Sequence, residues 1–347
     1  MSRKGSYLVL LVMLMIVAAG CSGGASGDGK SDLVEVSVAD ASYILTGEDD
    51  GVSEKDTGIL MVNLKVKNTS DEAVTISSGN GIKLYKGEQE LSPKRDVFDP
   101  DLKLEPDMSG SIGANKVKTI PAFFEVEKGQ KYEIGITPRT EDYEEKPKEV
   151  TLKLDTTKYA DSLDKIEDPA RALTAYIEAI YLDKENPDFE KLVSADKQAL
   201  QEEAKSNFND SLKSIVYNTI PAPEVDKHYN SFKSVLAKKT EYKAETKAYA
   251  NDRAVVKIEY TTIDVDDSYE IIADIQKEYR EKTGDFDSKR AQSFAMQNFE
   301  TVLNMLEVQP GRDPLEIKMV KKDGKWSIDK GDYNSERLVE VFATGSR

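Results

Sequence analysis

The sequence predicts two domains, an antiparallel β-sandwich followed by an α+β domain with helices packed on an antiparallel sheet. Three observations carry this reading. The chain has 347 residues, room for about two domains of ~100–200 residues each. Apolar residues alternate from residue 33 to about 155, then recur at helical spacing from about 168 onward. Hydrophobic residues make up 39% and charged residues 32%, which suits globular domains and excludes a multi-span membrane protein.

Residues 1–20 form an export signal. Ser2-Arg3-Lys4 is a short basic start, and Tyr7 to Ala19 is an apolar run. As a helix that run reaches about 20 Å, short of the roughly 30 Å hydrocarbon core, so it fits a secretory signal better than a membrane span. Ala18-Ala19-Gly20 then precede Cys21, the only cysteine. This segment resembles the lipobox of bacterial lipoproteins, with Ala18 where Leu is usual. The resemblance implies cleavage after Gly20, a diacylglyceryl group on the Cys21 thiol, a Gram-positive source, and a cell-membrane protein on the extracytoplasmic face. Residues 21–32 are then the lipidated Cys and a tether. Ser22 to Ser31 has no apolar side chain larger than Ala and reads as flexible coil. Two acyl chains hold stably where one would be marginal.

Residues 33–155 read as the sandwich. Leu33-Val34-Glu35-Val36-Ser37-Val38 alternates, and Tyr43-Ile44-Leu45 continues it before the acidic stretch Gly47 to Gly51. Leu60, Val62, Leu64 and Val66 point one way, with Met61, Asn63, Lys65 and Lys67 on the other face. Asn68-Thr69-Ser70-Asp71 is a turn. Short strands follow at Val74 and Ile76, Ile82 to Tyr85, Phe123 to Val126, Tyr132 to Ile136 and Val150 to Leu154. Val66-Lys67-Asn68-Thr69-Ser70, Leu84-Tyr85-Lys86-Gly87 and Phe124-Glu125-Val126 through Gly129 to Tyr132-Glu133-Ile134 resemble the telokin-like, immunoglobulin-related domain of Gram-positive lipoproteins. Asp96, Asp99, Asp101, Glu105 and Asp107 crowd one loop. Calcium takes oxygen ligands from such loops, but the Asp-x-Asp-x-Asp-Gly spacing is missing, so the loop reads as solvated and no metal is assigned.

Residues 156–167 have few large apolar side chains and read as a linker, where light proteolysis should cut first. Residues 168–347 read as the α+β domain. Asp168-Pro169 starts a helix that Asn186-Pro187 ends. A second helical stretch holds Leu192, Leu200, Phe208 and Ile215, and a third, after Pro221 and Pro223, holds Val225, Tyr229, Phe232 and Leu236. Tyr242 to Ala250 and Ala254 to Ile263 form a hairpin turning at Asn251-Asp252. Two helices, one with Tyr269 to Tyr279 and one with Phe294 to Leu306, precede a second hairpin turning at Asp323-Gly324, and a last helix carries Leu338 and Phe342. Asp323-Gly324-Lys325-Trp326-Ser327-Ile328 resembles the closing hairpin of cystatin-like and nuclear-transport-factor-like folds. The whole arrangement resembles an uncharacterised family of Gram-positive lipoproteins.

Few residues invite chemistry. His228, the only histidine, lies beside the apolar face of the third helix, and no Gly-x-Ser-x-Gly elbow accompanies it, so it reads as a half-buried boundary residue. Ser194-Ala195-Asp196-Lys197 has Ser-x-x-Lys spacing without its Ser-Asp-Asn or Lys-Thr-Gly partners, and a Ser194 helix cap explains it better. No Gly-rich phosphate loop and no His-based metal motif calls for a cofactor. The net charge of −16 repels phosphate backbones and excludes a nucleic-acid partner. No catalytic residues are assigned. The predicted function is non-catalytic binding or scaffolding at the outer face of the membrane, with the lipid on Cys21 as the membrane contact. The partner is a protein, a peptide or a small envelope ligand. A pocket on the second domain's sheet is expected near Tyr242, Val256, Ile258, Tyr260 and Trp326. The alternative is an envelope hydrolase using paired carboxylates.

Overall fold

The computed structural model describes residues 29–47, 56–77, 79–105, 110–140, 148–216 and 220–346. The signal segment, Cys21, the tether up to residue 28, Asp107 and the acidic stretch from Glu48 to Gly51 lie outside the described residues.

The first half holds, in chain order, β1 (Gly29–Lys30), β2 (Val34–Ile44), β3 (Thr57–Asn68), β4 (Val74–Thr75), β5 (Ile82–Lys86), β6 (Gln89–Leu91), β7 (Ser111–Ile112), β8 (Val117–Glu127), β9 (Lys131–Ile136) and β10 (Val150–Asp155). Two antiparallel sheets, ordered β1-β2-β3-β8 and β10-β9-β5-β6, pack face to face. Leu60, Val62, Leu64 and Val66 of β3 meet Ile134, Ile136, Leu152 and Leu154 in one core, as the alternation predicts. Asn68, fully buried, closes its turn: its amide donates to the carbonyls of Glu72, Ile112 and Gly113 and its Oδ1 accepts from Ser70.

Three expectations change here. The fold begins before residue 33. Gly29 pairs with Val36 and packs so tightly on β10 that a Cβ there would stand 2.4 Å from Val150. Met61, expected on the solvent face, is buried, because its face of β3 is covered. The stretch 156–167 is folded: a 3₁₀ turn spans Thr156–Tyr159 and α1 spans Ala160–Asp164. Its small polar side chains satisfy sandwich backbone, since Thr156 Oγ1 donates to the Glu127 carbonyl and Ser162 Oγ accepts from the Tyr43 N–H.

The second half holds α2 (Asp168–Ile180), α3 (Pro187–Leu192), α4 (Lys197–Ile215), α5 (Ala222–Lys239), β11 (Tyr242–Ala250), β12 (Arg253–Thr262), α6 (Ser268–Thr283), α7 (Ser288–Gln297), α8 (Phe299–Met305), β13 (Gln309–Pro310), β14 (Leu315–Lys322), β15 (Lys325–Ile328) and α9 (Tyr333–Thr344). The sheet runs β11-β12-β14-β15, with β13 on β12. Helices α2 and α9 pack against it, and their apolar residues join Val256, Ile258 and Ile317 in the core. Asn186 does more than end a helix: it caps α3, accepting from the Asp188 N–H. Asp196, not Ser194, caps α4. The helix expected from Phe294 to Leu306 breaks at Asn298 into α7 and α8.

The two halves are joined through their sheets. Leu45, just past β2, and Tyr249 of β11 exchange both backbone hydrogen bonds, at 2.9 and 2.7 Å. Beside that bridge lies a second apolar cluster. Ile44, Ile59, Met61 and Phe123 from the outer face of the sandwich meet Ala248, Ala250 and Val255 from the outer face of the second sheet.

A cleft between the two sheets

The acidic loop builds the candidate site. The Lys94 N–H donates to the Phe123 carbonyl on the free edge of β8. The chain then crosses the second cluster as a strap, burying Val97, Leu102 and Leu104 in it. Asp99 and Leu104 exchange backbone hydrogen bonds at 3.0 and 2.8 Å, and Asp99 Oδ1 accepts from the N–H groups of Asp101 and Leu102. So the loop is a folded turn anchored by Val97, Leu102 and Leu104, while Asp96, Asp101 and Glu105 stay exposed to solvent as expected. Interleaved leucines and a valine supply the anchor that its carboxylates conceal. Among the described residues no group of three His, Cys, Asp or Glu side chains could hold a metal ion.

A cleft of about 240 Å³ opens between this strap and the second sheet. Ile59, Val97, Ala248 and Val255, all buried, supply apolar lining. Phe98 lies at its rim with 64% of its surface exposed. The charged lining includes Asp96, Asp99, Lys247 and Glu316. Lys247 Nζ lies 2.6 Å from Glu316 Oε1. Asp101 on the strap lies 2.8 Å from Lys318 of β14, an ion pair that ties the strap to the second domain. Partly exposed pairs like these contribute about 0–1 kcal/mol each, so the apolar cluster is the main adhesive.

The other candidate residues lie elsewhere. Val256, Ile258, Tyr260 and Trp326 are core, and Tyr242 packs edge-on to Phe342 of α9 with ring centroids 6.0 Å apart. The pocket expected on that face is therefore filled. His228 is more deeply buried than expected, with 4% exposed, and sits edge-on to the Phe299 ring at 5.0 Å. Burial pushes its pKa down, Glu224 opposes that shift and Lys227 adds to it. The Ser194 N–H donates to the Trp326 carbonyl, and Lys197 Nζ lies 5.9 Å from the Phe189 ring centroid, so the Ser-x-x-Lys spacing serves packing. Glu167 does not line the cleft; partial burial of its carboxyl pushes its pKa up, Glu245 adds to that shift and hydrogen bonds from Thr246 oppose it. Of the cleft residues, the sequence pointed to Asp96, Asp99 and Asp101. Gly47, Phe98, Lys247 and Glu316 gave no signal beyond an aromatic set among aspartates.

Residues 30–148 match a family described as domain of unknown function DUF4352, and residues 159–343 match one described as domain of unknown function DUF5105. The uncharacterized lipoprotein YcdA of Bacillus subtilis (strain 168) is 31% identical over 362 residues, covering 99% of this chain and 99% of that protein. This chain belongs to the YcdA family. A crystal structure of the Bacillus subtilis ycdA protein superposes with a TM-score of 0.68 at 30% identity, over 92% of this chain and 99% of that one. The likeness to YcdA thus spans both the sandwich and the α+β domain. A functionally unknown Listeria monocytogenes protein aligns over 39% of this chain and 84% of its own, at 12% identity and a TM-score of 0.30, too distant to carry weight.

Proposed function

We propose that this YcdA-family chain is a lipid-anchored, non-catalytic binding protein on the extracytoplasmic face of the cell membrane. Its anchor is a diacylglyceryl group on Cys21, exposed by cleavage after Gly20, and its binding site is the cleft between the strap and the second sheet. The name of the relative, a lipoprotein, and the small residues before Cys21 support the anchor. Among the described residues no helix is long and apolar enough to cross a membrane. The observation that carries the binding role is the composition of the cleft. An apolar lining contributed by both domains, edged by charges of both signs and one exposed aromatic ring, supports a binding role.

Two measurements test this. Fractionation of cells carrying Cys21→Ala should find the protein uncut, or cut by another route and released to the medium. A Cys21→Ala protein still cut before residue 21 and still held by the membrane would end the anchor reading. For the cleft, a low-mass envelope extract should raise the melting temperature of the wild-type chain, since a ligand that binds only the folded state stabilises it. The rise should vanish in Gly47→Leu, which places a side chain in the cleft mouth. Equal stabilisation of both proteins would move the binding elsewhere.

A further inference from the structure

We infer that the cleft takes the zwitterionic headgroup of a free α-amino acid with an apolar side chain, an inference that rests on the cleft being the binding site. A basic and an acidic side chain both approach one point in the cleft. The position that a Cβ on Gly47 would occupy lies 3.6 Å from Lys247 Cε and 4.0 Å from Asp99 Oδ2. Those contacts cap the separation of the Lys247 ammonium and Asp99 Oδ2 at about 9 Å. An ammonium and a carboxylate on one carbon stand ~3 Å apart, and a hydrogen bond of ~2.8 Å at either end makes a span of roughly 8.6 Å, which fits inside that upper limit. In a peptide the two termini are further apart by up to ~3.5 Å per added residue, so an extended peptide overshoots.

Both groups have capacity to spare. Lys247 has three donors and is held in place by the bond to Glu316, leaving donors for a ligand carboxylate. Asp99 spends Oδ1 on its own loop, and Oδ2 is the atom nearer Gly47. Asp96 adds a second carboxylate to the lining for the ammonium end. Ile59, Val97 and Val255 give the ligand side chain an apolar surface, and the exposed Phe98 ring stands ready to cover it. Gly47 keeps the space between the charges open, because it has no side chain to fill it.

The experiment is calorimetry on the full chain with four probes: L-leucine, N-acetyl-leucine, leucinamide and the dipeptide Leu-Leu. Leucine should bind. N-acetyl-leucine lacks the ammonium, leucinamide lacks the carboxylate, and each should bind about tenfold or more weakly, because each leaves one charged cleft group without its partner. Leu-Leu should bind about tenfold or more weakly as well. Gly47→Leu should weaken leucine by a similar factor with the fold intact by circular dichroism, since a Cβ there meets nothing nearer than 3.6 Å. Equal binding of leucine and its blocked forms would overturn the headgroup assignment and leave the cleft standing, and a stronger Leu-Leu would turn the class to peptides. Leucine binding unchanged in Gly47→Leu would place that binding outside the cleft. No heat from leucine at about 10 mM would overturn the inference alone, while the extract experiment decides the cleft by itself.

Discussion

Replacing Leu102 by Ala should destabilise both domains, although Leu102 belongs to only one. Its side chain is 4% exposed and sits in the cluster where Phe123 of the sandwich meets Ala248 and Val255 of the second sheet. Leu→Ala in a core costs about 2–5 kcal/mol, and a strap that can settle into the space belongs near the lower end, about 2–3 kcal/mol. The chain carries its own reporter of the far side of the junction. Trp326, its only tryptophan, is fully buried on β15 with its ring centroid 6.0 Å from that of Tyr249. Tyr249 is the residue that bridges to Leu45. Urea unfolding followed by tryptophan fluorescence therefore reads the second domain, while the substitution lies in the first. With a slope of about 3 kcal/mol per molar urea, the midpoint should fall by roughly 0.7–1 M. A fluorescence midpoint that stays put while circular dichroism shows a shifted sandwich transition would refute the coupling, and with it the idea that the cleft has a fixed shape.

His228 predicts a loss of stability on acidification. Burial lowers its pKa in the folded state, so below about 6.5 the unfolded chain binds the proton more readily, and stability falls as pH drops through that value. Melting temperatures from pH 7.5 to 5.0 should fall more steeply for the wild type than for His228→Phe, and parallel curves would remove His228 from the cause. The stretch 156–167 should resist light proteolysis as well as the sandwich does, because Thr156 and Ser162 are bonded to sandwich backbone. A first cut within 156–167 would show instead that this segment opens on its own.

The parts of the fold that could be read in sequence are those where one face alone is buried. In β10, Val150, Leu152 and Leu154 alternate with exposed Thr151 and Lys153, and the period names the strand. The junction between the domains was hidden because its residues break that rule. Ile59 and Met61 are buried on the face of β3 that a solvated sandwich gives to water, so their apolar character read as noise in the pattern. Val97, Leu102 and Leu104 are spaced irregularly between aspartates, and charge density outweighed them. Such anchors have no period because a strap is neither helix nor strand. The cleft inherits the same opacity. Lys247 and Glu316 each sit as outward-facing residues of charged strands, and only the fold brings them together.

Neither domain contains the cleft by itself, and this bears on how an anchored protein could use it. Phe98, Asp96 and Asp99 come from the strap, while Lys247, Val255 and Glu316 come from the second sheet. The strap attaches at β8, whereas the proposed tether enters at β1, and these are opposite edges of the same four-stranded sheet. Three strand spacings of about 4.8 Å separate those edges; Lys94 pairs alongside β8, and the strap then packs on Ile44, Ile59 and Met61 of β2 and β3. Along the strands, the cleft residues Thr46 and Gly47 lie past the end of β2, whereas Gly29 pairs near its beginning, at Val36. Eight residues of β2 between those levels rise by about 26 Å. The described chain thus enters the sheet about 26 Å along the strands from the end of β2 beside which the cleft lies. On the proposed anchoring through Cys21, a ligand in the proposed cleft leaves the β1 edge undisturbed, and attachment and binding then use different parts of one sheet.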